Sequence, residues 1–251
     1  MNFPPLPENV ARITPGDSFS FLCHPDVQCF THCCRQLELA LTPYDVLRLR
    51  QATGLSSAKL LDKFIITEQD DTDIFPRYYL TMVDDGQASC VFVGKDGCAV
   101  YQHRPGACRT YPLGRGVSRE GNTVNEYFVL LREPHCRGFS EKTVQTIDRY
   151  NKSQDLERYN FFNDMLTEIQ QHPKIRNGMR LTTSQGSDYR CALYDIDAFR
   201  KIMAGNTGDD GRSIAALDDE TLLIYAFSWL KNKLFGSKSS ESAPLNARRQ
   251  E

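Results

Sequence analysis

Residues 23–34 read CHPDVQCFTHCC, so Cys23, Cys29, Cys33 and Cys34 fall in the spacing Cys-x5-Cys-x3-Cys-Cys. If Cys29 and Cys33 lie on one helical turn, their sulfurs share a face. Cys34 then lies about 100° further round the axis. It completes the same site only if the backbone turns there; otherwise it serves a second site. Adjacent cysteines are poor candidates for a mutual disulfide, because the Cα separation a disulfide needs exceeds the distance between neighbours. Two neighbouring thiolates also repel each other unless a cation sits between them. This stretch therefore implies a fold organised by metal.

Working outward, Cys90, Cys98 and Cys108 follow with spacings x7 and x9, and Cys136 comes later. Cys90 to Val93 reads as a short strand, Asp96-Gly97 as a turn, and Cys98 to Tyr101 as the returning strand. This expectation puts Cys90 and Cys98 near the two ends of one hairpin. The loop Gln102 to Arg109 surrounds Cys108 with His103, Arg104 and Arg109, cations that favour a thiolate. His103 is read as a solvated loop histidine rather than a ligand, since cysteines already fill the ligand count. Arg104 and Arg109 either orient thiolates or bind an anion, or pair with backbone carbonyls; the sequence leaves both readings open. Cys191 stands apart and reads as a small buried hydrophobe.

The chain has nine cysteines in 251 residues. In a reducing compartment that density means metal ligands rather than disulfides. The N-terminus lacks the basic start and apolar core of a signal peptide. No apolar run approaches the roughly 20 residues that span a bilayer. The expected location is cytoplasmic. With 40% hydrophobic and 25% charged residues the composition is globular, and a net charge of -2 offers no basic footprint for nucleic acid.

Helix signals flank the cysteines. Thr42 caps a helix whose first turn holds Pro43 and Asp45, and Gly54 ends it. A second helix starts at Ser56 or Ser57, with Leu60, Leu61, Phe64 and Ile65 as its stripe. Arg77 to Val83 and Tyr127 to Leu131 read as strands, and Glu120-Gly121-Asn122 as a turn. Residues 141–171 read as one or two amphipathic helices, with Val144, Ile147, Tyr150, Leu156, Phe161, Met165 and Ile169 toward the core. Residues 195–204 and 217–235 read as further helices. The expected class is α+β: an extended lead-in over 1–18, a cysteine-rich domain of short hairpins and helices over 19–140, a helical layer over 141–236, and a disordered tail over 237–251.

The ordered set Phe21-Leu-Cys23, Cys29-x3-Cys33-Cys34, Leu41-Thr-Pro-x-Asp45, Cys90-Val-Phe and Gly97-Cys98-x-Val-Tyr101-x2-Arg104-Pro105-x2-Cys108-Arg109-x-Tyr111-Pro112 resembles the YkgJ-type cysteine cluster family. That family is described as a zinc- or iron-chelating domain, and it includes the domain found in flagellin lysine N-methylases. The likeness covers roughly residues 19–140. One departure is the wide spacing of Cys23 and Cys29. The resemblance implies a metal site, and the candidate ligands are Cys23, Cys29, Cys33, Cys34, Cys90, Cys98, Cys108 and Cys136. Thiolate-only ligation without a Cys-x2-Cys knuckle favours an iron–sulfur cluster, with Zn2+ as the alternative. The expected partners are a metal ion and a protein substrate or partner. The alternative function is a protein lysine methyltransferase. Gly114-Arg-Gly116 lacks the third glycine of a nucleotide loop, and no nucleophile–base pair stands out.

Overall fold

The computed structural model describes residues 6–120, 123–205 and 213–236. The expected tail over 237–251 and the tip of the 120–122 turn lie outside them. Helix α1 (Pro43–Thr53) forms where the sequence signals it. The Thr42 side chain accepts the Asp45 amide, the Asp45 carboxylate accepts the Thr42 amide at 2.8 Å, and Pro43 occupies the first turn. Gly54, at φ 65°, closes the helix by donating to the Arg50 carbonyl. We expect Thr42→Ala to lower stability by about 1 kcal/mol in a denaturant titration, the usual cost of a lost N-cap. Helix α2 (Ser57–Phe64) follows and buries Leu60 and Leu61.

An antiparallel sheet joins β1 (Val10–Ile13), β9 (Leu113–Glu120) and β10 (Thr123–Leu131), with β10 central. Val10 faces Leu131 and Phe128 faces Arg115. The lead-in thus supplies an edge strand. The remaining pairs are short: β2 (Ser18–Ser20) with β11 (Val144–Thr146), β3 (Ile65–Glu68) with β4 (Arg77–Leu80), β5 (Met82–Val83) with β6 (Ser89–Cys90), and β7 (Val93–Gly94) with β8 (Gly97–Cys98).

Three strand expectations are corrected. The strand over 77–83 breaks at Thr81, whose amide donates to the Phe64 carbonyl. The single hairpin carrying Cys90 and Cys98 does not form. Cys90 pairs back onto Met82, and Cys98 pairs onto Val93. The Val91-Phe92 step turns instead of extending, which drives Phe92 into the core beside Phe64, with ring centroids 5.1 Å apart. After β8 the chain enters a 3-10 turn at Tyr101–His103 rather than continuing as a strand.

The helices are α3 (Gly106–Thr110), α4 (Ile147–Ser153), α5 (Leu156–Gln170), α6 (Pro173–Arg176), α7 (Thr183–Leu193), α8 (Ile196–Gly205) and α9 (Asp219–Phe235). Val144, expected on a helix and inside, lies on β11 and is 53% exposed. Phe161 points outward, because α5 turns Leu156, Tyr159, Phe162, Leu166 and Ile169 to the core at helical spacing. Helix α7 is unexpected. Its polar run lacks an apolar stripe, yet Thr182 and Gln185 form a capping box at its start.

The larger core combines Leu39 to Val100 with residues of α5, α7, α8 and α9. Tyr44 of α1, fully buried, stacks on Phe162 at 4.4 Å and meets Tyr159 edge-on. Arg50 ties the same helix to Asp197 and Asp219 at 2.7 and 2.8 Å. A smaller core lies under the sheet, with Phe19, Phe21, Leu113, Phe128, Leu130, Ile147 and Tyr150. Among the described residues no helix is long and apolar enough to cross a membrane.

Candidate metal centre

The thiols lie where the two cores meet. Cys136 packs against the smaller core, and Cys90 and Cys98 against the larger. On the first side, the Leu22 amide donates to the Gly138 carbonyl at 3.1 Å, so the chain leaving β2 runs beside the 136–138 turn. The approach is close. A Cβ on Gly138 would meet the Leu22 carbonyl oxygen at 2.9 Å and the Phe21 ring at 2.7 Å, so only glycine fits. Cys23 is thereby carried to Cys136. Cys29 joins them, its Sγ accepting the Arg137 amide at 3.1 Å.

On the second side, Arg35 bridges antiparallel to Ser89, and the Gln36 amide donates to the Ala88 carbonyl at 2.9 Å. The next pair along such a bridge is Cys34 and Cys90. Cys98 enters on β8. Cys108 enters on α3, whose first amide, that of Gly106, donates to Asp45 Oδ1 at 2.7 Å. Cys33 lies between the two groups on the 3-10 turn His32–Cys34, and its sulfur contacts that of Cys34.

All nine cysteines are free, and each is exposed or half-buried. That is unlike structural cysteines, which are among the most fully buried residues. The surrounding protein and neighbouring thiols disfavour the unpaired thiolates. Cys23 is pushed up to about 11 by burial, then by Cys33, Cys29 and Cys136. Cys108 has exposed surface as a residue, but the protein packed around its sulfur pushes the thiol up to about 12, with Cys90 and Asp45 adding to the effect. Cys34 is raised by its contact with Cys33, while Cys33 is lowered by accepting from Cys34, with Arg35 also favouring its thiolate. Such a cluster gains most from a cation that replaces its protons.

The arginines divide their work. Arg109, 3% exposed, donates to the carbonyls of Gln102, Arg104 and Gln154, so it is the structural clamp of the Cys108 helix. Arg104 lies over Tyr101 at 3.9 Å and donates to Gln154, and its charge reaches both Cys23 and Cys98. His103 is not solvated loop: its Nδ1 accepts from Arg48 at 3.3 Å. Cys191 is half-buried against the larger core rather than fully inside, on α7.

Two polar atoms lack partners here. The Tyr111 hydroxyl is buried beside Cys136 without a sound hydrogen bond, and Arg35 Nε is buried and unpaired near Cys33. Both are donors beside sulfur, and such donors suit thiolate ligands. The residue types, sulfur ligands with hydrogen-bond donors beside them, therefore suit a thiolate-bound metal. Among the described residues no three His, Cys, Asp or Glu side chains already converge on one point at ligand distance.

Residues 22–137 match the model of one protein family, CxxCxxCC, titled "Putative zinc- or iron-chelating domain". No curated protein and no solved structure matches the chain.

Proposed function

We propose that the protein binds iron through its clustered cysteines as an iron–sulfur cluster, with zinc as the second candidate, and that it works in the reducing cytoplasm with a protein partner or substrate; the match of residues 22–137 to the zinc- or iron-chelating family model supports metal binding. What supports chelation is the electrostatic proximity of Cys23 to Cys29, Cys33 and Cys136 and of Cys108 to Cys90, Cys98 and Cys33, with every cysteine residue exposed or half-buried. Free thiols persist in a reducing compartment, where they serve metals rather than disulfides. Iron is preferred because the donor set is all sulfur and lacks the Cys-x2-Cys knuckle common in zinc sites.

A bound cluster would supply a one-electron centre or a structural clasp. The chain's own part is to hold the thiolates, to donate hydrogen bonds from Tyr111 and Arg35, and to balance charge with Arg104. Protein purified without oxygen is expected to be brown, to absorb broadly near roughly 400 nm, and to bleach on reduction, as thiolate-bound iron does. A colourless preparation with stoichiometric zinc, from iron-replete cells, would replace iron by zinc. Fully stable protein free of both metals would remove the chelation reading. Chelation of the bound metal is expected to lower the melting temperature. A titration with S-adenosylmethionine separates chelation alone from methyl transfer.

A further inference from the structure

The run Gln171-His172-Pro173-Lys174 opens α6. Proline has no N–H, so the first amide there that needs an acceptor is that of Lys174. It donates to His172 Nδ1 at 3.2 Å. The same imidazole lies flat on Phe235, the last residue of α9, with ring centroids 3.7 Å apart and planes 5° from parallel. Lys174 Nζ donates to the Phe235 carbonyl at 2.9 Å. Cap, stack and carbonyl contact together fasten the end of α9 to α6. We propose that His172 is a proton-operated clasp: its neutral imidazole holds the last turn of α9 against α6, and its protonation releases that turn.

The chemistry of the ring carries this. Nδ1 accepts only while it is unprotonated, with the single ring proton on Nε2. A proton taken from solvent onto Nδ1 sets two donors, the ring and the Lys174 amide, against each other. Helix α6 spans only Pro173–Arg176, so loss of its cap undoes much of it. The new charge also enters a basic corner. Lys174 on α6 and Lys231 on α9 act on the ring. Glu168 on α5 is already bound to Lys231 at 2.8 Å and to Arg119 of β9 at 3.2 Å, and Arg176 is turned to Gln171 Oε1 at 2.8 Å. Burial, then the two lysines, accordingly hold His172 below the ordinary histidine value of about 6.5. The stability that the clasp contributes is therefore complete above that value and is lost as pH falls below it toward the folded-state value.

The test uses the full chain and reads amide hydrogen exchange at pH about 7.5 and about 5.5, corrected for the intrinsic effect of pH. In the wild-type protein Leu234 and Phe235 are expected to lose protection several-fold at the lower pH, relative to Ala226 and Phe227 in the middle of the same helix. His172→Asn, whose side-chain oxygen caps without titrating, is expected to show no such loss. His172→Phe keeps a ring for the stack but has no acceptor, and it is expected to leave the last turn poorly protected at both pH values. Equal pH dependence in the wild type and His172→Asn would overturn the clasp. Full protection in His172→Phe at the higher pH would overturn it too. Should a variant fail to fold, the ring resonances of His172 in the wild-type chain decide, and titration at or above the ordinary histidine value would sink the proposal. None of these outcomes depends on chelation.

Discussion

Cys108→Ser is expected to lose about half the bound metal or more, while Cys191→Ser keeps the wild-type content. A serine hydroxyl stays protonated at neutral pH and ligates far more weakly than a thiolate. Cys108 sits on α3, beside Cys90, Cys98 and the Cys33-Cys34 pair, with Asp45 and Arg109 fixing its helix. Cys191 sits on α7, where burial and the carboxylates of Asp195 and Asp188 shape its thiol and no other cysteine takes part. Cys29→Ser, Cys33→Ser and Cys34→Ser are expected to behave like Cys108→Ser. Elemental analysis per folded chain, with circular dichroism as the folding control, reads the contrast. Equal losses for Cys191→Ser and Cys33→Ser would dissolve the distinction between the cluster and the rest of the chain.

Signals that act within a few residues were legible in the sequence. The Thr42–Asp45 box and Gly54 bound α1 because caps are local hydrogen bonds and need no tertiary partner. The box at Thr182 and Gln185 carried the same signal for α7, but the missing apolar stripe masked it. Its burial is concentrated near the end, at Tyr189, Ala192 and Leu193, so helical periodicity had little to show. Val144 and Phe161 went astray through phase. Reading residues 141–171 as helical from the start hid the β11 strand, whose partner β2 lies more than a hundred residues earlier.

The site divides in the same way. The spacing of the cysteines was legible because it is a property of the chain itself. Their arrangement was not. Ladders of two residues, such as β5–β6 and β7–β8, carry too little pattern to set register, and tertiary contacts choose it. The turn at Val91-Phe92 is decided by the pocket beside Phe64, not by strand propensity. Arg109 was ambiguous until its three carbonyl partners were visible, for a guanidinium in an Arg-rich loop serves thiolate, anion or backbone equally well on paper.

Asp45→Asn is expected to destabilise the protein by about 2–3 kcal/mol, from buried N–H groups left facing donors, and to reduce the bound metal. The carboxylate is 2% exposed and accepts from donors only. Oδ2 takes the amide and hydroxyl of Thr42, each at 2.8 Å, and Oδ1 takes the Gly106 amide at 2.7 Å. Burial pushes its acidity toward the protonated form, while these donors and the Arg109 charge pull it back. An asparagine must turn its NH2 toward either Thr42 or Gly106, leaving a buried N–H facing another donor, at a cost of about 1–3 kcal/mol for each unsatisfied group. If the NH2 faces Gly106, the start of α3 loosens and Cys108 moves with it. If it faces Thr42, the capping box opens and α1 shifts beneath the same helix. Either way one side chain links helix capping to ligand placement, so stability and metal content should fall together. Thr42→Ala removes the cap but leaves Asp45 Oδ1 on the Gly106 amide, so it should cost less stability and lose less metal than Asp45→Asn. Metal retained in full by a destabilised Asp45→Asn protein would confine Asp45 to capping.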